Sequence, residues 1–164
     1  MRANKRFMRK VERSGGKHCP CCGQFAKIYK RGLGATQAFG LISLFNLSFD
    51  RHFNEVNSLQ FFHTSEIMAN YGCRTQGGDF VKAAYWGLIE EMFNNDERKK
   101  NSGMWRLTNR GVAFVKGVIE LPAFAFVYDG KVQGFTTETV NIRKALHKRF
   151  DYAELMNIEK GAES

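Results

Sequence analysis

No run in this chain approaches the roughly 20 apolar residues that a membrane span requires. The N-terminal Met1-Arg2-Ala3-Asn4-Lys5-Arg6 carries charge with no apolar core behind it, which argues against a secretory signal. Cysteine is scarce. Three of the four cysteines crowd between Cys19 and Cys22, a spacing that does not make a disulfide framework and suits reduced cytoplasm. There are no internal repeats and no low-complexity tract, so neither a solenoid nor a disordered chain is expected. The marks of catalysis are missing too. No Gly-x-x-x-x-Gly-Lys-Ser/Thr loop occurs, and no serine sits in a nucleophile elbow with a matching His and Asp. Gly32-x-Gly34 and Gly77-Gly78 are too short for a dinucleotide fingerprint, and the neighbours Glu90 and Glu91 point to opposite faces of a strand. A binding protein is expected, and not an enzyme.

Acidic residues are also under-represented. Against 25 Lys and Arg stand 16 Asp and Glu, a net charge of +9 over 164 residues. An excess of this size favours an anionic partner such as nucleic acid, although solubility alone would also account for it. Hydrophobic residues make up 43% and aromatics 13%, with 15 Phe, which is ample for an ordinary core.

Four sections follow one another: a basic arm (1–17), a cysteine knuckle (18–34), a central domain (35–120) and a C-terminal hairpin, short helix and tail (121–164). The arm holds Arg2, Lys5, Arg6, Arg9, Lys10, Arg13 and Lys17 against the single acid Glu12. Such a segment is either a solvated tail or a grip on phosphate. In the knuckle, Cys19-Pro20-Cys21-Cys22-Gly23 contains the Cys-Pro-x-Cys-Gly pattern of half a zinc ribbon. Two thiolates at that spacing on a glycine turn reach one ion, so Cys19 and Cys22 are candidate ligands of a structural zinc. A second pair is absent. The partners would come from Cys73, His52 or His63, and a metal-free turn is the equal alternative.

In the central domain, Phe39, Leu41, Ile42, Leu44, Phe45 and Leu47 predict a mostly buried helix from Thr36 to Phe49. Thr64 or Ser65 is expected to cap a short second helix ending at Gly72. Asp79 is expected to cap a third, carrying Phe80, Val81, Ala83, Ala84, Trp86 and Leu88 at a period near 3.6. A short helix, a glycine turn and a longer helix suggest a helix-turn-helix. A strand from Gly87-Leu88-Ile89, a polar loop and a strand through Trp105-Arg106-Leu107 follow, then a helix capped by Thr108. Trp86 and Trp105 are expected in the core.

The order Gly-Leu-Ile, charged loop, Trp-Arg-Leu-Thr-x-x-Gly-x-x-Phe resembles the wing of MarR-like winged-helix regulators. It is carried by Leu107, Thr108, Gly111 and Phe114, over about half the chain, from Ala35 to Lys116. The resemblance implies an α+β fold with a winged helix-turn-helix core, a third helix offered to the major groove of duplex DNA and a wing offered to the backbone. Groove-facing candidates are Arg74, Thr75, Gln76 and Lys82; wing candidates are Arg98, Lys99 and Lys100, with Arg106 on the second wing strand. The third helix opens on Asp79 and has only Lys82 as a nearby base, which favours phosphate contact over base reading.

From Pro122, Ala123-Phe124-Ala125-Phe126-Val127-Tyr128 alternates as a strand, Asp129-Gly130 supplies a two-residue turn, and Lys131-Val132-Gln133-Gly134-Phe135 returns. Phe124, Phe126, Tyr128 and Phe135 then offer a partner surface, a homodimer seam or cover for the core. A short helix is expected near Val140 to Phe150. Knuckle, basic segment and winged helix together resemble small proteins of phages and mobile elements. That resemblance implies either a transcription regulator or a factor that binds a host protein, acting in the bacterial cytoplasm.

Overall fold

A computed structural model describes residues 16–18, 22–50, 54–55, 59–71, 77–99 and 102–156. The class is α+β, and no helix among these residues is long and apolar enough to cross a membrane. Contacts divide the chain into two units: residues 1–32 with 122–138, and residues 33–121 with 139–164. This differs from four consecutive sections. The C-terminal hairpin belongs with the knuckle segment, and the helix after it returns to the central unit, because strand pairing and core contacts ignore chain order.

In the larger unit, α1 (Ala35–Ser48) buries Ala38, Phe39, Leu41, Ile42, Leu44 and Phe45, so apolar side chains surround it nearly completely. Such a helix occupies the middle of a core. Its start is held by Gln37, whose Oε1 accepts the Gly34 N–H at 3.0 Å while its Nε2 donates to Asp79 O at 2.9 Å. Next come β4 (Phe62–His63) and α2 (Thr64–Ile67). The cap of α2 is His63, not Thr64 or Ser65: His63 Nδ1 accepts the Ser65 N–H at 3.1 Å, because β4 sets its side chain across the first turn.

Helix α3 (Gly77–Phe80) starts before Asp79, which is therefore inside the turn and not its cap. It tightens at once into a 3-10 helix, Val81–Trp86, closed by Gly87 at φ 71°. The period-3.6 expectation thus gives way to one α turn and two tighter ones, with Phe80, Ala83 and Trp86 buried at three-residue spacing. Strands β5 (Ile89–Glu91) and β6 (Met104–Leu107) form the expected hairpin, and β4 adds to the other edge of β6, giving the order β4-β6-β5. Trp86 and Trp105 are both buried.

Helix α4 (Asn109–Val115) has the expected Thr108 cap: Thr108 Oγ1 accepts the Gly111 N–H at 3.1 Å and donates to Gly87 O at 2.6 Å. The unit is completed by α5 (Ile142–Leu146), capped by Asn141, and α6 (Tyr152–Leu155), capped by Asp151. Asn46 Nδ2 donates to Leu155 O and Tyr152 OH to Val115 O, tying α6 to α1 and α4. Phe45, Phe80, Phe114, Ile67, Leu88 and Leu146 are among the large side chains sealed from solvent.

In the smaller unit, β1 (Lys17–His18) pairs antiparallel with β2 (Phe25–Ala26). After the two-residue strand β7 (Leu121–Pro122), a separate sheet has the order β3-β8-β9, from β3 (Tyr29–Gly32), β8 (Phe124–Tyr128) and β9 (Lys131–Phe135). The β8–β9 turn has Asp129 at φ 49° and Gly130 at φ 69°, the mirror-image turn that Asp-Gly favours.

Candidate nucleic-acid interface

The described part of the loop between β5 and β6 is shaped by its own polar side chains. Asp96 Oδ1 accepts the Arg98 N–H at 3.0 Å and Nε–H at 3.1 Å, and Asn94 Nδ2 donates to Lys99 O at 2.9 Å. The Arg98 side chain, and then its backbone N–H, hold the Asp96 carboxyl below its ordinary value. At the base, Glu91 Oε1 accepts the Ser102 N–H at 2.6 Å. The tip therefore has a preferred shape, and the Arg98 side chain remains 91% exposed. Lys99 is exposed beside it, as is Phe93 at 80%.

Among the other residues expected to meet nucleic acid, the fates differ. Arg106 projects across the sheet onto Glu90 at 2.5 Å, donates to Leu59 O at 3.0 Å and lies over the Phe61 ring at 4.4 Å. Register explains this: Arg106 is directly opposite Glu90 on β5, so the two side chains share a face and their charges cancel. Lys82 bonds Asp79 at 2.6 Å, one helical turn back, with its side chain 27% exposed. Both cations are thus paired, as Arg98 is with Asp96, but unlike Arg98 they are largely covered. Arg74, Thr75, Gln76, Lys100 and Cys19 lie outside the described residues.

Cys22 is exposed, in the segment between β1 and β2. There Gly23 adopts φ 72°, and His18 Nδ1–H donates to Gly23 O at 3.0 Å. Among the described residues no group of three His, Cys, Asp or Glu gathers as a metal site.

One basic group escaped the sequence reading. Arg149 places its guanidinium 4.8 Å from the Tyr71 ring centroid, and Tyr71 OH shares a hydrogen bond with Thr36 Oγ1 at 2.9 Å. The signal was present as the acid-free run Arg143-Lys144-Ala145-Leu146-His147-Lys148-Arg149, but nothing local ties that run to Tyr71.

Charge is unevenly shared. The smaller unit carries eleven Lys and Arg against three Asp and Glu, a net of +8; the larger carries fourteen against thirteen, a net of +1. No protein-family model, curated protein or solved structure matches this chain.

Proposed function

We propose that this chain is a nucleic-acid-binding protein whose larger unit is a winged helix-turn-helix acting on duplex DNA in transcription control. The observation that carries the reading is the element order helix, strand, helix, helix, strand, loop, strand with sheet order β4-β6-β5, since that arrangement presents a two-stranded wing beside the second and third helices. Arg98 and Lys99 at the wing tip, together with Arg149 beside Tyr71, meet phosphate. The pairing of Lys82 with Asp79 leaves the described part of the third helix poorly supplied for base reading, so backbone contact and shape dominate. The arm, with six more cations before residue 17, adds long-range attraction.

The test is fluorescence anisotropy with duplex DNA across a salt series. Counterion release gives a log–log slope of about −0.9 per phosphate neutralised. Arg98→Ala/Lys99→Ala/Lys100→Ala is expected to weaken binding and flatten the slope by about 2 to 3. A triple variant with the wild-type slope would remove the wing from the interface, and no duplex binding at low salt would end the reading.

A second reading, a winged helix that docks on a protein, is favoured by the near-neutral charge of the larger unit and by the 80% exposure of Phe93. In that case Phe93→Ser abolishes partner capture while the triple variant leaves it intact. For the knuckle, we propose that Cys19 and Cys22 supply two thiolates to a structural zinc, supported by the hairpin that brackets them. Metal analysis of the protein as purified, against Cys19→Ser/Cys22→Ser, tests this; equal zinc content in the two would refute it.

A further inference from the structure

We infer that the outer face of the β3-β8-β9 sheet is a stacking platform for single-stranded nucleic acid, distinct from the duplex contact proposed above. The argument starts from register. Tyr29 is opposite Val127 and Arg31 opposite Ala125, while Lys30 is opposite Phe126 and Gly32 opposite Phe124. Across the other ladder, Phe126 faces Gly134 and Tyr128 faces Lys131. Opposed residues in an antiparallel pair share a face. One face therefore holds Tyr29, Arg31, Ala125, Val127, Val132 and Phe135, and at its centre Ala125 and Val127 are buried. The opposite face holds Phe124, Phe126 and Tyr128 in a row along the central strand, all half-buried, with Lys30 and Lys131 on the flanking strands.

The composition of that second face is what a nucleic-acid strand requires. Ring follows ring every second residue, about 6.7 Å along the strand, a spacing suited to successive splayed bases. Phe124 is already engaged: its ring lies beside Gly32, and Lys30 Nζ stands 4.2 Å from its centroid. Phe126 and Tyr128 are the two rings left for bases. Beside Phe126, Gly134 provides an opening, for a Cβ there would meet nothing within 4 Å. No carboxylate lies on this face of the three strands, and the unit as a whole is +8. Aromatic rings interleaved with lysines, without acids, complement a polyanion with exposed bases, since the rings stack on bases and the lysines meet phosphate.

The experiment measures anisotropy of labelled ten-nucleotide oligo(dT) and oligo(U), and of a duplex, against the full chain. Phe126→Leu and Tyr128→Leu keep apolar bulk and remove the π-face. Gly134→Leu fills the opening at a φ that any residue adopts. Circular dichroism melting confirms that each variant is folded. We expect wild type to bind at least one single strand, each Leu substitution of a ring to weaken that about 5- to 150-fold, Gly134→Leu to weaken it comparably, and duplex affinity to stay unchanged. Conversely, Arg98→Ala/Lys99→Ala/Lys100→Ala should leave oligo binding intact, so the two contacts fail separately. The inference is overturned if neither oligomer binds at low salt, or if folded Phe126→Leu and Tyr128→Leu proteins bind as tightly as wild type.

Discussion

Gly111 offers a sharp test of how the larger unit is assembled. A Cβ at this position would run into the Leu88 carbonyl oxygen and stand 3.0 Å from Leu107 Cδ2 and 3.1 Å from the Leu88 carbonyl carbon. The oxygen has no room to swing aside, since it accepts the Thr108 N–H at 3.1 Å while Thr108 Oγ1 donates to Gly87 O. Relief requires α4 to move off the start of β5, and α4 carries Phe114 and Val115, both fully buried. Two effects oppose one another in Gly111→Ala. Helix propensity stabilises the variant by about 1 kcal/mol. Overpacking against backbone costs about 1–3 kcal/mol, and weakening the two Thr108 bonds adds about 1 kcal/mol each. The net is a destabilisation of about 2–4 kcal/mol, or a Tm fall of roughly 4–16 °C for a chain of this size. Gly78→Ala is the internal control: a Cβ there meets nothing within 4 Å, so the same substitution should raise Tm slightly. Paired thermal melts decide the matter. A Gly111→Ala protein that melts at or above wild type would refute the close approach of α4 to Leu88.

Three further outcomes are expected. The Tyr152 hydroxyl donates to Val115 O at 2.6 Å, and burial raises its pKa while the Arg143 guanidinium acts the other way. The protonated form is thus favoured on folding, so its contribution is complete below the ordinary tyrosine value near 10 and is lost as pH rises through the raised folded value. Urea melts from pH 8 to 11 should show this loss in wild type and a flatter profile in Tyr152→Phe, which is about 1 kcal/mol less stable at pH 8. Among the described residues, Trp105 Nε1 is buried without a hydrogen-bond partner; Trp105→Phe should therefore change stability by less than about 1.5 kcal/mol, where Trp105→Ala costs about 3–5 kcal/mol. Gly130→Ala forces a side chain onto φ 69° and should lower stability by about 1–2 kcal/mol, read as a lower urea midpoint at unchanged slope.

The chain's local chemistry was readable in its order of residues. Dense apolar positions between Phe39 and Leu47 mark α1, the Thr108 hydroxyl three residues before Gly111 marks the start of α4, and Asp129-Gly130 marks a hairpin turn; each signal lies within one or two turns of backbone. The Leu-Thr-x-x-Gly pattern was legible as a motif, but its reason was not. Gly111 is required by Leu88, which only tertiary packing brings against it. Strand β4 is two residues long, too short for an alternating pattern, and exists because β6 offers Phe62 a partner in Trp105. The 3-10 stretch from Val81 to Trp86 likewise reflects where Phe80, Ala83 and Trp86 must be buried, overriding a pattern that was close to α-helical.

The same division holds for the site. Sequence alone established a surplus of cations, an arm that concentrates them and a polar loop carrying Arg98, Lys99 and Lys100. It did not reveal that Arg106 is neutralised by Glu90, sixteen residues away, because that depends on β5–β6 register. Nor did it separate Phe124, Phe126 and Tyr128 from Phe135, which face opposite sides of one sheet. Periodicity fixes which residues alternate, but only pairing β3 with β8, nearly a hundred residues apart, decides which face gains lysines and which is buried. Local forces act between neighbours in the chain and can be read from it; charge cancellation and face selection act between neighbours in space, and the tertiary structure alone decides who those are.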